Sequence, residues 1–173
     1  GKTSCAQLLA HACQFLEQKS AVLGTLGNGL IGDLVPSTHT TLDALQLQQK
    51  LAEFKQANAQ VVALEASSHG LEQGRLSATK IDTAIFTNLT RDHLDYHGTM
   101  EVYQQAKALL FQWPTLKTAI LNEDDPVSKD YQQLLTPNVI CWRYSQNANS
   151  DAEFVALKIE PSLQGLIVTV KTP

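Results

Sequence analysis

Cysteine is scarce. Three in 173 residues, an odd number without metal-ligand spacing, exclude a disulfide scaffold and a cysteine zinc site. Cys5 and Cys13 share a helical stripe with Leu8, Leu9, Ala12 and Leu16, and Cys141 sits in the apolar run Val139-Ile140-Cys141-Trp142. All three read as small core hydrophobes in a reducing, cytoplasmic compartment. Neither sign of charge dominates: thirteen Lys and Arg against seventeen Asp and Glu leave a net charge of −4. That excludes a broad basic surface, so no nucleic-acid or membrane partner is expected. No apolar run reaches the roughly 18 residues of a membrane-spanning helix. No secretory leader, repeat, low-complexity tract or internal linker is legible. Any anion binding must come from a local site.

What is present is ordinary for a globular domain: 43% hydrophobic and 17% charged residues, in a length that suits one domain with its own core. Helical periodicity spans about residues 3–19, followed by the apolar stretch 21–25 and a glycine-rich segment (Gly27, Gly29, Gly32) leading to Pro36. A second helix reaches about Asn58, with Leu47, Leu51 and Phe54 on one face. Apolar strands are read at 61–64, 83–87, 118–121 and 139–144, with helices at about 100–111 and 126–135. This alternation predicts an α/β fold with a mostly parallel, doubly wound sheet. Residues 153–159 and 166–171 alternate around Pro161-Ser162-Leu163-Gln164-Gly165, predicting an antiparallel β-hairpin at the sheet edge.

The chemistry gathers at the ends of the strands, where open α/β sheets bind ligands. Gly1-Lys2-Thr3-Ser4 is the back half of a phosphate-binding loop followed at once by a helix. The front half is missing and the sole methionine, Met100, is internal. A piece of a longer protein, beginning within its nucleotide site, is therefore expected. The strand at 61–64 ends in Glu65-Ala66-Ser67-Ser68-His69-Gly70, that at 83–87 in Asn88-Leu89-Thr90-Arg91-Asp92-His93-Leu94-Asp95, and that at 118–121 in Asn122-Glu123-Asp124-Asp125. Glu65 is a candidate hard-oxygen ligand for nucleotide-bound Mg²⁺. Ser67, Ser68 and His69 lack a Gly-x-Ser-x-Gly elbow, so substrate hydrogen bonding is preferred to a hydrolase triad. In Asp92-His93-x-Asp95 one histidine is a candidate Mg²⁺ or Mn²⁺ ligand, with the aspartates capping the following helix. Lys107 shares a stripe with Tyr103 and Leu110, and pattern alone makes it a snorkelling surface lysine.

Taken in order, Gly1-Lys2-Thr3-Ser4, Gly24-Thr25-Leu26-Gly27-Asn28-Gly29, Thr40-Thr41, Glu65 to Arg75, Phe86 to Gly98 and Tyr103-x-x-Ala106-Lys107 resemble the central ATP-binding domain of the Mur ligase family. The likeness is close over about residues 1–129. It favours the members that add the third peptide residue to UDP-N-acetylmuramoyl-L-alanyl-D-glutamate. It implies ATP and two Mg²⁺ ions, with Lys2, Glu65, His93 and Lys107 as catalytic residues. Lys2 would contact the ATP phosphates, and Gly1, Thr3, Ser4, Asn88 and Asn122 would complete the nucleotide set. Thr3 and Glu65 would serve one ion; His93 and Lys107, the latter as a carbamate, would serve the second. His39, Thr40, Thr41, Ser67, Gln73 and Arg75 would bind the UDP-muramoyl dipeptide. The family usually has asparagine where His39 stands.

The resemblance further implies that residues 1–173 form part of a central domain, without the flanking uridine-nucleotide and amino-acid domains, and a monomer without ligase activity of its own. It leaves diaminopimelate and lysine both open as the amino acid added. A folylpolyglutamate synthase on the same scaffold shares the loop and the lysine but has no use for the set at Ser67, Gln73 and Arg75. A non-enzymatic nucleotide switch needs no second metal. A purely structural domain has no need of polar residues at successive strand ends.

Overall fold

Ala6 and Ala10, rather than the leucines, make the core face of the first helix. The structure, a computed structural model describing all 173 residues, divides into two units, Gly1–Thr79 and Lys80–Pro173. In the first, α1 (Lys2–Phe15) lays Ala6 and Ala10 against Val22 and Ala63. The expected apolar stripe fails at Leu8, Leu9 and Leu16, which are exposed. Small residues bring the helix close enough for Ser20 Oγ to donate to the Ala10 carbonyl at 2.6 Å. The helix also ends before Lys19, because Leu16 N–H turns back to the Ala12 and Cys13 carbonyls and Glu17 is left-handed, φ 61°.

The first unit continues with β1 (Ser20–Gly24), β2 (Gly27–Leu30), β3 (Asp33–Val35), α2 (Ala44–Gln56), β4 (Val61–Leu64) and α3 (Ser68–Glu72). Its sheet has the order β3-β2-β1-β4, with β1 and β4 parallel and β1, β2 and β3 antiparallel. The glycine-rich segment is thus two strands that sequence patterning did not reveal. Gly29 makes their pairing possible: a Cβ there would stand 2.1 Å from the Asp33 carbonyl oxygen. Asp43 caps α2 by accepting from Gln46 N–H at 2.9 Å, and the helix buries Leu47 and Phe54.

The second unit holds β5 (Thr83–Phe86), α4 (Leu94–His97), α5 (Met100–Ala108) with a 3-10 turn after it, β6 (Thr118–Asn122), α6 (Val127–Gln133), β7 (Ile140–Ser145), β8 (Phe154–Ser162) and β9 (Gly165–Lys171). Its sheet runs β5-β6-β7-β8-β9, parallel as far as β8, with β9 antiparallel. The mostly parallel sheet and the terminal hairpin are as the sequence predicts. Phe111 stacks on Tyr131 with centroids 4.9 Å apart, and Phe86 meets both edge-on. The Tyr131 hydroxyl donates to the Gln104 carbonyl at 3.0 Å, and burial pushes its pKa up.

Arg143 on β7 fastens the strand ends. Its guanidinium lies 2.9 Å from Glu153, 3.3 Å from Asp151 and 3.7 Å from Glu123, and its backbone N–H donates to Glu153 at 2.8 Å. The hydrogen bonds from Arg143 hold the Glu153 carboxyl below the usual carboxylate range. A depressed folded-state pKa gives stability that is present above the unfolded value, about 4.3, and is lost as pH falls through the folded one. Arg143→Met should therefore lower stability at neutral pH by about 1 kcal/mol, after solvent screening, and flatten the acid limb. Urea midpoints from neutral to acid pH measure this. An unchanged acid limb would remove Arg143 from that role.

Candidate active site

Glu65, the residue after β4, is buried to 2% exposure. A carboxylate in such a place requires donors, and two segments supply them. Thr3 Oγ1, in the first turn of α1, donates to Oε2 at 2.8 Å. Thr25 N–H, just past β1, donates to Oε1 at 2.8 Å, and Thr25 Oγ1 stands 3.4 Å from Oε2. The carboxylate lies across Gly24, where a Cβ would come within 2.1 Å of Oε1. Lys2 opens α1, whose own first turn contains no acid, and a helix N-terminus favours a bound anion. Gly1 and Ser4 are exposed beside it.

Most of the expected acceptor-binding residues are joined by hydrogen bonds to the Glu65 main chain or to Thr25. Thr41, 1% exposed, donates its hydroxyl to the Glu65 carbonyl at 2.7 Å and accepts from Ser67 N–H at 2.9 Å. Its carbonyl accepts from Arg75 Nη1 at 2.8 Å, while Arg75 Nε and Nη2 both hold Gln73 Oε1, at 2.8 and 2.6 Å. Ser67 Oγ caps α3 by accepting from Gly70 N–H at 3.1 Å. Thr40 joins through Thr25, whose hydroxyl donates to Thr40 Oγ1 at 3.0 Å. His39 turns instead to Thr38, ring nitrogen to hydroxyl at 2.9 Å. The resemblance grouped Thr40, Thr41, Ser67, Gln73 and Arg75 with His39, and it included Gly24 and Thr25 in a motif without giving either a role. The Gly-Thr pair closing an apolar strand was the available signal.

In the second unit, His93 is left-handed (φ 55°) at the start of α4. Its ring stands edge-on to Tyr103 at 5.6 Å, and Lys107 Nζ lies 5.0 Å from the centre of that ring. His97, 6% exposed, stacks against Tyr103 at 5.2 Å. His93 and Lys107 thus border one aromatic side chain. The expected aspartate caps are a correction: no side chain caps α4, and Thr99 caps α5 by accepting from Val102 N–H at 3.3 Å. Asp92 instead accepts from His93 N–H at 2.8 Å. The acids after β6 are engaged within the fold. Glu123 faces Arg143, Asp124 holds Ser145 and Gln146, and Asp125 holds Leu89 and Val127 N–H. Asn122 Nδ2 donates to the Thr87 carbonyl at 2.7 Å, tying β6 to the segment after β5, and Asn88 lies exposed near Thr90.

A model of the Mur ligase middle domain matches residues 1–173. The chain belongs to the Mur ligase family. Among its relatives, the UDP-N-acetylmuramoyl-L-alanyl-D-glutamate–2,6-diaminopimelate ligase of Chromobacterium violaceum is 45% identical over 176 aligned positions, covering 100% of this chain and 35% of that protein. The ligase of the same name from Pseudomonas aeruginosa is 54% identical over 125 positions, covering 72% and 26%. A solved structure of a ligase with that name superposes with a TM-score of 0.89 at 41% identity, over 96% of this chain and 34% of the other. MurF from Acinetobacter baumannii, TM-score 0.75 at 17% identity, shares the fold. The chain spans about a third of the length of these Mur ligases.

Proposed function

We propose that this chain is the nucleotide-binding and acceptor-binding segment of an ATP-dependent ligase. The full-length enzyme would add diaminopimelate to UDP-N-acetylmuramoyl-L-alanyl-D-glutamate in peptidoglycan precursor synthesis. The observation that carries the reading is the buried Glu65: Thr3 and Thr25 grip its carboxylate, Thr25 links it to Thr40, and its main-chain carbonyl accepts from Thr41, which contacts Ser67 and Arg75. A nucleotide site and an acceptor site are thereby built from one network. The names of the relatives favour diaminopimelate over lysine.

The residues fit the metal-nucleotide pair that the family implies. A hydroxyl and a buried carboxylate 2.8 Å apart are hard oxygen donors, and no three His, Cys, Asp or Glu side chains form a closed protein cage. That is the pattern of Mg²⁺, which takes one or two carboxylates and leaves its other positions to water and phosphate. When bound, the ion offsets charge on the phosphates. In this reading Lys2 and the start of α1 hold the phosphates, and Arg75 and Thr40 orient the acceptor. The acceptor's D-glutamate carboxylate attacks the terminal phosphorus and ADP leaves, giving an acyl phosphate. The amine of the incoming amino acid attacks that carbonyl, loses a proton, and expels phosphate. His93 and Lys107, gathered at Tyr103, are assigned to a second cation, with Lys107 as its carbamate.

The test is the full-length ligase given ATP, Mg²⁺ and the UDP-muramoyl dipeptide, with each amino acid offered separately. UDP-muramoyl tripeptide and ADP are expected with diaminopimelate. Product with lysine alone would reassign the amino acid, and glutamylation of a folate without any muramoyl product would overturn the reading.

A further inference from the structure

Thr25 is absent from the predicted site residues, yet it links the Glu65 carboxylate to Thr40 by hydrogen bonds, beside the separate link from Thr41 to the Glu65 carbonyl. It touches three groups: its backbone N–H holds Glu65 Oε1 at 2.8 Å, its hydroxyl donates to Thr40 Oγ1 at 3.0 Å, and Glu65 Oε2 lies 3.4 Å from the same hydroxyl. The side chain stands at the exposed end of β1, so burial alone does not account for its contacts. From these contacts we infer that Thr25 is a positioning residue that couples occupancy of the nucleotide site to binding of the acceptor through Thr40. The inference rests on the reading of Glu65 and Thr40 given above.

The physical argument is a count of protons. A hydroxyl has one proton to donate, and here two oxygens lie within its reach, Thr40 Oγ1 and Glu65 Oε2. The Glu65 carboxylate, which already accepts from Thr3 and from the Thr25 N–H, competes for that proton from 3.4 Å against Thr40 at 3.0 Å. Once an occupied nucleotide site shares the carboxylate's charge, that competition weakens and the bond to Thr40, already the shorter of the two, is strengthened. A Thr40 oxygen already accepting at its inner side has its own proton left for the acceptor, and successive hydroxyl bonds strengthen one another. The backbone N–H, independent of the side chain, keeps Glu65 in place throughout. The two functions of Thr25 are therefore separable by substitution.

Thr25→Val keeps the N–H and the branched shape but deletes the hydroxyl; Thr25→Ser keeps the hydroxyl. The full-length ligase is titrated calorimetrically with UDP-muramoyl dipeptide, with and without Mg²⁺ and a non-hydrolysable ATP analogue. In the native enzyme the nucleotide analogue is expected to tighten acceptor binding. Thr25→Val should reduce that enhancement by about three- to tenfold, the scale of one net hydrogen bond, with affinity for the nucleotide analogue in the absence of acceptor unchanged, and Thr25→Ser should restore it. Thr40→Val removes the other end of the bridge, should show the same loss, and serves if Thr25→Val fails to fold. An enhancement that survives in both valine variants overturns the inference, as does equal loss in Thr25→Val and Thr25→Ser. A native enzyme that binds the acceptor without any enhancement also overturns it, leaving the ligase reading intact. A native enzyme that does not bind the acceptor removes both.

Discussion

Glu65→Gln in the full-length ligase is expected to lower kcat/KM by on the order of 10³-fold, the scale on which a single electrostatic element of phosphoryl transfer acts, with little change in the fold. The amide is isosteric, so its oxygen can still accept the Thr25 N–H that now reaches Oε1 at 2.8 Å. Thr3, which donates to Oε2 at 2.8 Å, can turn its hydroxyl to accept from the new amide. What is lost is the negative charge at a 2%-exposed position, where little solvent is available to replace it. The defect should be largest at limiting Mg²⁺ and partly relieved as Mg²⁺ rises, while affinity for the UDP-muramoyl dipeptide alone stays close to native. Steady-state rates across a Mg²⁺ series measure this. A loss below tenfold that does not depend on Mg²⁺ would remove Glu65 from the nucleotide chemistry and leave it a structural carboxylate.

The sequence made β4, β5, β6, β7 and the terminal hairpin legible because each is a short apolar or alternating run bounded by turn residues. It concealed β2 and β3 because Gly27-Asn28-Gly29-Leu30 carries no β-branched pattern; that pairing rests on a backbone approach visible only in three dimensions. It misjudged the face of α1 because hydropathy weighs leucine above alanine, whereas close packing against β1 favours the small residue. In the site, residue chemistry pointed to Glu65, and the family resemblance added Thr41 and Arg75. It could not show that Asp124 and Asp125 satisfy backbone and hydroxyl donors within their own unit. An acid at a strand end reads the same whether it waits for a ligand or is already bonded. Thr25 stood in the Gly24-Thr25 motif without a role for the converse reason: its importance lies in which oxygens surround it, and only the fold brings those together.

Gly24→Ala should destabilise the protein by about 1–3 kcal/mol, the range for overpacking a buried position, and lower activity about as far as Glu65→Gln. Gly24 has no positive-φ requirement, so alanine meets no backbone penalty. The whole effect is steric, since the new methyl would fall 2.1 Å from Glu65 Oε1, 2.8 Å from Cδ and 2.9 Å from Cγ. β1 is hydrogen-bonded on both sides, to β2 and β4, so moving the strand disturbs two ladders. Swinging the carboxylate away is the alternative, and it breaks the bonds from Thr3 and Thr25 at once. Either path separates Glu65 from its donors. The distinguishing measurement is a double-mutant cycle on urea midpoints. If the clash is the cause, Gly24→Ala should be nearly neutral in a Glu65→Ala background, because the atoms it strikes are gone. An undiminished penalty in that background would mean that glycine serves the strand itself rather than the carboxylate lying across it.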